Sequence, residues 1–207
     1  MAEILNSEYA NIRKAVSKLI NGHPIVFPTD TLFALGCPIN CENAVEEIFE
    51  IKRRPLSMAL PVLIGRERDV NLVAENISEA SRKLMRDFWP GALTILLQKK
   101  QFVPNIVTAG LPTVAVRFPN HQVALDIIRG VDVPVIGTSA NIHNEESPLT
   151  AQGINAHIGH AIDLIIDDGK THEDLASTII DMSSDKPRIL RQGKIPRDVL
   201  EKYCYFY

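Results

Sequence analysis

Between residues 7 and 20 the apolar positions Ile12, Ala15, Val16, Leu19 and Ile20 recur at three- and four-residue steps, the spacing of one helix face. Ser7 is placed to cap this helix and Gly22 to stop it. A second helix is expected over residues 42–53, with Ala44, Val45, Ile48, Phe49 and Lys52 on one side and Pro55 just past its end. The same reading places helices at residues 78–89, 122–129, 151–158 and 196–203. Strand-like runs fall at residues 25–27, 58–64, 92–98, 113–118, 163–167, 177–181 and 188–192, and residues 133–141 read as a strand entering a polar loop. Helices and strands interleave, yet several strands follow one another with no helix between them. That pattern predicts an α/β (α+β-like) fold with a twisted sheet of mixed parallel and antiparallel strands flanked by helices.

The 207 residues show no repeat, low-complexity stretch or linker, so a single domain over residues 1–207 is expected. Hydrophobic residues at 45% and charged residues at 23% are ordinary for a soluble protein. A net charge of -3 gives no global electrostatic footprint for nucleic acid. Cys37, Cys41 and Cys204 fit neither a disulfide framework nor a zinc spacing, and read as reduced thiols. The first residues are charged throughout with no signal-peptide core, and no apolar run approaches the roughly 18 residues of a membrane span. A cytoplasmic protein with no membrane partner is expected.

The common nucleotide and hydrolase signatures are absent: there is no phosphate loop, no G-x-G-x-x-G and no G-x-S-x-G. His157 and His160 read as solvated surface residues, and Asp167-Asp168-Gly169 as a polar turn. What recurs is a strand ending in hydroxyls or a cation: Thr29-Asp30-Thr31, Arg117, Thr138-Ser139-Ala140-Asn141, Ser177-Thr178 and Arg191. Lys52-Arg53-Arg54 adds charge at a helix end. Guanidinium groups, hydroxyls and an amide converging in space would suit a polyphosphate, and backbone N–H groups of the Ser-Ala-Asn loop could join them. Each piece also has a purely structural explanation, as a cap, a turn, a snorkelling cation or a charge at a helix dipole.

The ordered segments "PTDTLFALGC", "KRRP", "WPGALTILL", "TVAVRFPNH", "GTSAN", "STIID" and "ILRQG" resemble the YrdC-like family, whose characterised members are threonylcarbamoyl-AMP synthases. The resemblance is collinear from about Ile12 to Gly193 and is nearest to the short, single-domain form. It implies strands and helices arranged around a concave cavity. It also implies a reaction joining L-threonine, bicarbonate (or CO2) and ATP, with Mg2+ carried in by ATP rather than held by the protein. The product would pass to a tRNA-modifying complex, and a weak contact with tRNA itself is a further expectation. Carried over position by position, Lys52 and Arg54 would be catalytic. ATP would meet Lys52, Arg54, Met58, Thr113, Ser139, Asn141 and Arg191; threonine would meet Thr31, Leu63, Arg117 and Ser177, with Phe33 walling the pocket.

Several positions depart from that family's usual residues. Phe33-Ala34 stands where Tyr-Gly is common, Met58 for an asparagine, Leu63 for a histidine, Thr138 for a proline, and Ile142-His143-Asn144 in the loop that follows. Met58 and Leu63 are expected to put apolar surface where polar contacts would otherwise lie. The alternatives are a divergent YciO-like paralogue, or an RNA- or nucleotide-binding module without synthase activity. Against the second stand the acidic balance and an aromatic content of 6%, since single-strand binders rely on stacking.

Overall fold

The side of α1 (Tyr9–Ile20) that carries Ile12, Ala15 and Leu19 is buried, as its periodicity requires. This computed structural model describes residues 1–169 and 175–207. Before that helix lies β1 (Glu3–Asn6), and after it β2 (Ile25–Phe27), β3 (Ala34–Gly36), α2 (Glu42–Lys52) and β4 (Val62–Leu63). The middle of the chain forms α3 (Val70–Val73), β5 (Ala74–Glu75), α4 (Glu79–Phe88), β6 (Leu93–Lys99), α5 (Asn105–Thr108) and β7 (Thr113–Arg117). The rest forms α6 (Gln122–Val131), β8 (Val135–Ile136), β9 (Thr138–Ser139), α7 (Ala151–Ile158), β10 (Leu164–Asp167), β11 (Thr178–Asp181), β12 (Arg188–Arg191) and α8 (Arg197–Leu200).

The strands make two sheets. The smaller runs β1-β10-β2-β3-β9; the larger runs β12-β11-β6-β7-β4-β8, with β5 beside β6. Parallel pairs (β1/β10, β10/β2, β11/β6, β4/β7) alternate with antiparallel ones, which is the mixed α/β arrangement the interleaved pattern predicts. Beneath them lie two apolar clusters, one of which packs Ile12, Ala15 and Leu19 of α1 against Ile127 and Ile128 of α6 and Phe27 of β2.

Residues 133–141, expected as a strand entering a polar loop, divide into two short strands at Gly137. On one side β8 pairs with β4 in the larger sheet; on the other β9 pairs with β3 in the smaller. The chain therefore changes sheets at a single residue. A Cβ on Gly137 would stand 2.2 Å from Leu63 Cδ1, so glycine lets the corner close against β4. The joint is fastened by Ile136 N–H donating to Cys37 O at 2.7 Å and Ile39 N–H to Pro134 O at 3.1 Å.

Other expectations shift. Ser7 does not cap α1: Glu8 holds that position, and its amide donates to Asn6 Oδ1 at 3.3 Å. The strand expected over residues 58–64 contracts to Val62–Leu63, because the carbonyls of Met58 and Ala59 are taken by the Arg54 side chain. The closing helix over residues 196–203 is only the turn Arg197–Leu200. The short strands β1, β3 and β5 carry too few residues for a periodicity to reveal.

Candidate functional site

A cavity of about 230 Å³ opens over one face of the larger sheet. Its floor is a cross-strand row. Arg191 of β12 lies opposite Ile179 of β11, Ile179 opposite Thr94 of β6, Thr94 opposite Arg117 of β7, and Arg117 opposite Leu63 of β4. All five line the cavity. Alternate residues of a strand share a face, so Ala115 lines it too, whereas Val114 and Val116 point into the core. The loop between β2 and β3, carrying Thr31, Leu32 and Phe33, and β9, carrying Ser139, supply the facing wall from the smaller sheet.

Arg117 is 7% exposed, and burial pulls its pKa below the ordinary guanidinium value while the Asp30 carboxylate opposes the fall. Its Nη2 donates to Asp30 Oδ1 at 2.6 Å, its Nη1 to Thr31 Oγ1 at 2.7 Å and its Nε to Gly91 O at 3.0 Å. Asp30 Oδ1 also accepts the Asn120 amide at 2.9 Å. Trp89-Pro90-Gly91 anchors Trp89 in the core and also supplies the carbonyl that orients Arg117. These contacts commit three of the five guanidinium N–H donors and leave one on each terminal nitrogen. The packed Thr-Asp-Thr cluster between two apolar segments thus holds an arginine in place.

At the end of α2 the chain turns sharply. Arg53 takes a left-handed conformation (φ 48°), with Arg54 N–H on Phe49 O and Arg53 N–H on Glu50 O. This turn sends Lys52 and Arg54 in different directions. Arg54 lines the cavity, held by the carbonyls of Met58 (3.1 Å) and Ala59 (2.8 Å). Lys52 is 1% exposed and does not reach the cavity wall. Its ammonium donates to Ser139 O at 2.5 Å, Asn141 O at 2.7 Å and Asn141 Oδ1 at 3.1 Å, which uses all three of its protons. Burial, followed by the neighbouring Arg54 charge, brings its pKa down to about 7.

The Ser-Ala-Asn loop departs from the sequence reading. Its backbone amides are committed within the protein: Ala140 to Phe33 O, Asn141 to Ser139 O, Ile142 to His157 Nε2 and His143 to Lys52 O. They do not form a backbone cradle. Asn141 faces away from the cavity, taking the Ser139 hydroxyl at 2.6 Å on Oδ1 and donating from Nδ2 to Glu145 O. Ser139 and Thr138 line the cavity. His157, expected to be solvated, is half-buried because α7 packs against this loop and its Nε2 lies 3.3 Å from Glu145 Oε2.

At the other end of the floor, Arg191 grips the segment before β11. Its Nη2 donates to Ser177 O at 2.8 Å and Ser177 Oγ at 3.1 Å, and its Nε to Ser177 O at 3.1 Å. Thr178 Oγ1 fixes the following turn by accepting from Gly193 N and Ile195 N. A Cβ on Gly193 would fall 2.3 Å from Ala176 O, so the turn requires glycine. Burial and the Arg117 charge both lower the Arg191 pKa. Two guanidinium groups that disfavour each other's charge converge on one cavity, an arrangement that an anion relieves.

Of the expected site residues, Thr31, Arg54, Leu63, Arg117, Ser139, Ser177 and Arg191 line the cavity, and Phe33 is in its wall. Lys52 and Asn141 lie behind it. Met58 is 39% exposed and contributes a carbonyl to Arg54. Its side chain therefore does not add the apolar surface expected of it, whereas Leu63 does. Thr113 occupies the cavity face of β7 beyond Ala115 but outside the wall. Thr94 was not singled out in the sequence, where a hydroxyl inside "ALTILLQ" reads as ordinary strand composition.

The two-sheet α/β fold thus encloses a cleft lined by guanidinium groups and hydroxyls, a chemistry suited to a small anion. The chain belongs to the Sua5/YciO/YrdC family, described as telomere recombination, which it matches over residues 17–193. It is 39% identical to the threonylcarbamoyl-AMP synthase of Pyrococcus abyssi over 92% of this chain and 56% of that one. With the Bacillus subtilis threonylcarbamoyl-AMP synthase the identity is 34% over 95% of this chain and 57% of the relative. The chain thus spans little more than half the length of these two relatives. The solved structure of Pyrococcus abyssi Sua5 complexed with L-threonine superposes with a TM-score of 0.94 at 37% identity, over 98% of this chain and 61% of that one.

Proposed function

We propose that the chain performs the threonylcarbamoyl-AMP synthase reaction, in which L-threonine, bicarbonate (or CO2) and ATP give threonylcarbamoyl-AMP and pyrophosphate. The observation that carries this reading is the row from Arg191 to Arg117, which faces two guanidinium groups into one hydroxyl-lined cavity. The reaction brings an anionic N-carboxythreonine to the α-phosphorus of ATP and needs no protein nucleophile. It needs two anions held together and the developing charge neutralised. Arg117, with its two remaining donors and Thr31 beside it, suits the amino-acid carboxylate, and Ser177 lies across the floor from it. Arg54, Arg191 and Ser139 suit the phosphates. A nucleotide extending along β7 past Ala115 would meet Thr113.

Lys52 and Asn141 act on this site from behind, by fixing the loop that carries Ser139. Among the described residues, the carboxylate beside the cavity is that of Asp30, and it is engaged by Arg117 and the Asn120 amide. That donor set does not suit a protein-held metal, so Mg2+ would be chelated by the phosphates that bring it. The product would be consumed by a tRNA-modifying complex, the partner this chemistry implies. No helix among the described residues is long and apolar enough to cross a membrane.

Pyrophosphate release from ATP, Mg2+ and bicarbonate, with and without L-threonine, tests the reading. Threonine-dependent release that falls at least a hundredfold in Arg54→Ala supports it. Threonine-independent release, or none with the protein folded, overturns it.

A further inference from the structure

Thr94 sits at the centre of the cavity floor, 2% exposed, between the two guanidinium groups of the row. Its Oγ1 lies 2.8 Å from Ser177 Oγ. Ser177 Oγ also accepts an N–H from Arg191 Nη2 at 3.1 Å. Two hydroxyls carry two protons, and the bond between them uses one, whichever group donates. The other proton remains on Thr94 or on Ser177. The charged neighbours across the floor, Arg117 and Arg191, are donors only and cannot accept it. Among the described residues no acceptor lies within hydrogen-bond distance of that remaining proton, so it calls for one supplied from outside, and the cavity is where it would sit. The N–H of Arg191 polarises the chain of bonds in the donating direction.

We propose that Thr94 is a substrate-contacting residue: with Ser177 it forms a two-hydroxyl relay that donates one hydrogen bond to a small carboxylate-type anion seated against Arg117. Thr94 and Arg117 are direct cross-strand partners, which places their side chains on the same face about 5 Å apart at Cβ, within reach of one planar CO2-type group. The α-carboxylate of an amino acid and bicarbonate share that chemistry. Only the identity of the anion rests on the synthase reading; the seat itself rests on the geometry.

The test is NMR and calorimetric titration of the full chain with L-threonine and, separately, with sodium bicarbonate, in wild type, Thr94→Val and Thr94→Ser. Valine keeps the shape and strand preference and deletes the hydroxyl; serine restores it. A loss of about tenfold or more in affinity for one anion in Thr94→Val, recovered to within threefold in Thr94→Ser, is expected. Loss for threonine alone assigns the seat to the amino-acid carboxylate, and loss for bicarbonate alone assigns it to carbonate. Should Thr94→Val not fold, Ser177→Ala removes the same relay from its other member and is expected to show the same loss. Unchanged affinities for both anions, failure of serine to restore, or a wild type that binds neither anion would overturn the seat. Binding that behaves as expected without threonine-dependent pyrophosphate release would leave the seat standing and remove the synthase reading.

Discussion

Lys52 Nζ lies 2.5 Å from the carbonyl oxygen of Ser139, 87 positions along the chain. The lysine also returns its own carbonyl to the His143 amide at 2.8 Å, so the end of α2 and the loop after β9 hold each other at two points. The charge at this position is structural in the first instance: it fixes a loop whose front face carries the cavity's Ser139.

Replacing Lys52 by Met fills the space; Ser139 O keeps the Asn141 amide and Asn141 Oδ1 the Ser139 hydroxyl, but the Asn141 carbonyl loses its donor, at a cost of about 1–3 kcal/mol where water does not reach it. Calorimetric titration should show nucleotide affinity falling about tenfold while threonine affinity changes less than twofold. An unchanged nucleotide affinity would reduce Lys52 to a packing residue.

The same lysine gives a pH signature. Its folded pKa of about 7 lies below the unfolded 10.5, so between these values the unfolded chain binds the extra proton. Stability from this group therefore rises with pH across that window, by up to about 1.4 kcal/mol per unit, and below pH 7 the cost of the buried charge is present in full. Denaturant melts at pH 6 to 9 should show the rise in wild type and not in Lys52→Met. Nucleotide affinity should move the other way, weakening above pH 7 as the ammonium loses its charge and one of its three donors.

Asp30 orients Arg117 while remaining outside the cavity wall. In Asp30→Ala the buried guanidinium loses its counter-charge, and stability should fall by about 3 kcal/mol. In Asp30→Asn the shape remains but the charge is lost. Steady-state pyrophosphate release should then show a KM for threonine raised about tenfold or more with the KM for ATP within twofold. A parallel rise in both would contradict the assignment of Arg117 to the smaller anion.

Gly137→Ala should destabilise by about 1–3 kcal/mol, because its Cβ meets Leu63 Cδ1 at 2.2 Å. Truncating Leu63 to Ala in that background should recover part of the loss. A double-mutant cycle from thermal unfolding that returns no coupling would show that the corner yields elsewhere.

Helix α2 was legible because its side chains alone decide it: Ala44, Val45, Ile48, Phe49 and Lys52, grouped by periodicity, are its five buried residues. The sequence pattern therefore put Lys52 on the inward face. What it could not supply was the partner, since residues 139–141 come together with it only in the folded sheets. Strand β3 was hidden for a related reason: three residues carry no periodicity, and pairing with β2 and β9 alone makes them a strand. Arg117, Thr31, Ser177 and Arg191 stood out as hydroxyls and cations at strand ends, their individual roles implied only by the family resemblance, and the cavity brings them together. Thr94 became visible only through register, because its importance lies in standing opposite Arg117.

Thr31 belongs to a loop of the smaller sheet and Arg117 to a strand of the larger, and the two sheets are spliced where the backbone crosses at Gly137. An anion lodged between them would act as a strut and stiffen the angle at which the two halves meet. Occupancy should accordingly be felt at a distance, as slower hydrogen exchange of the Ile136 and Ile39 amides that rivet the splice.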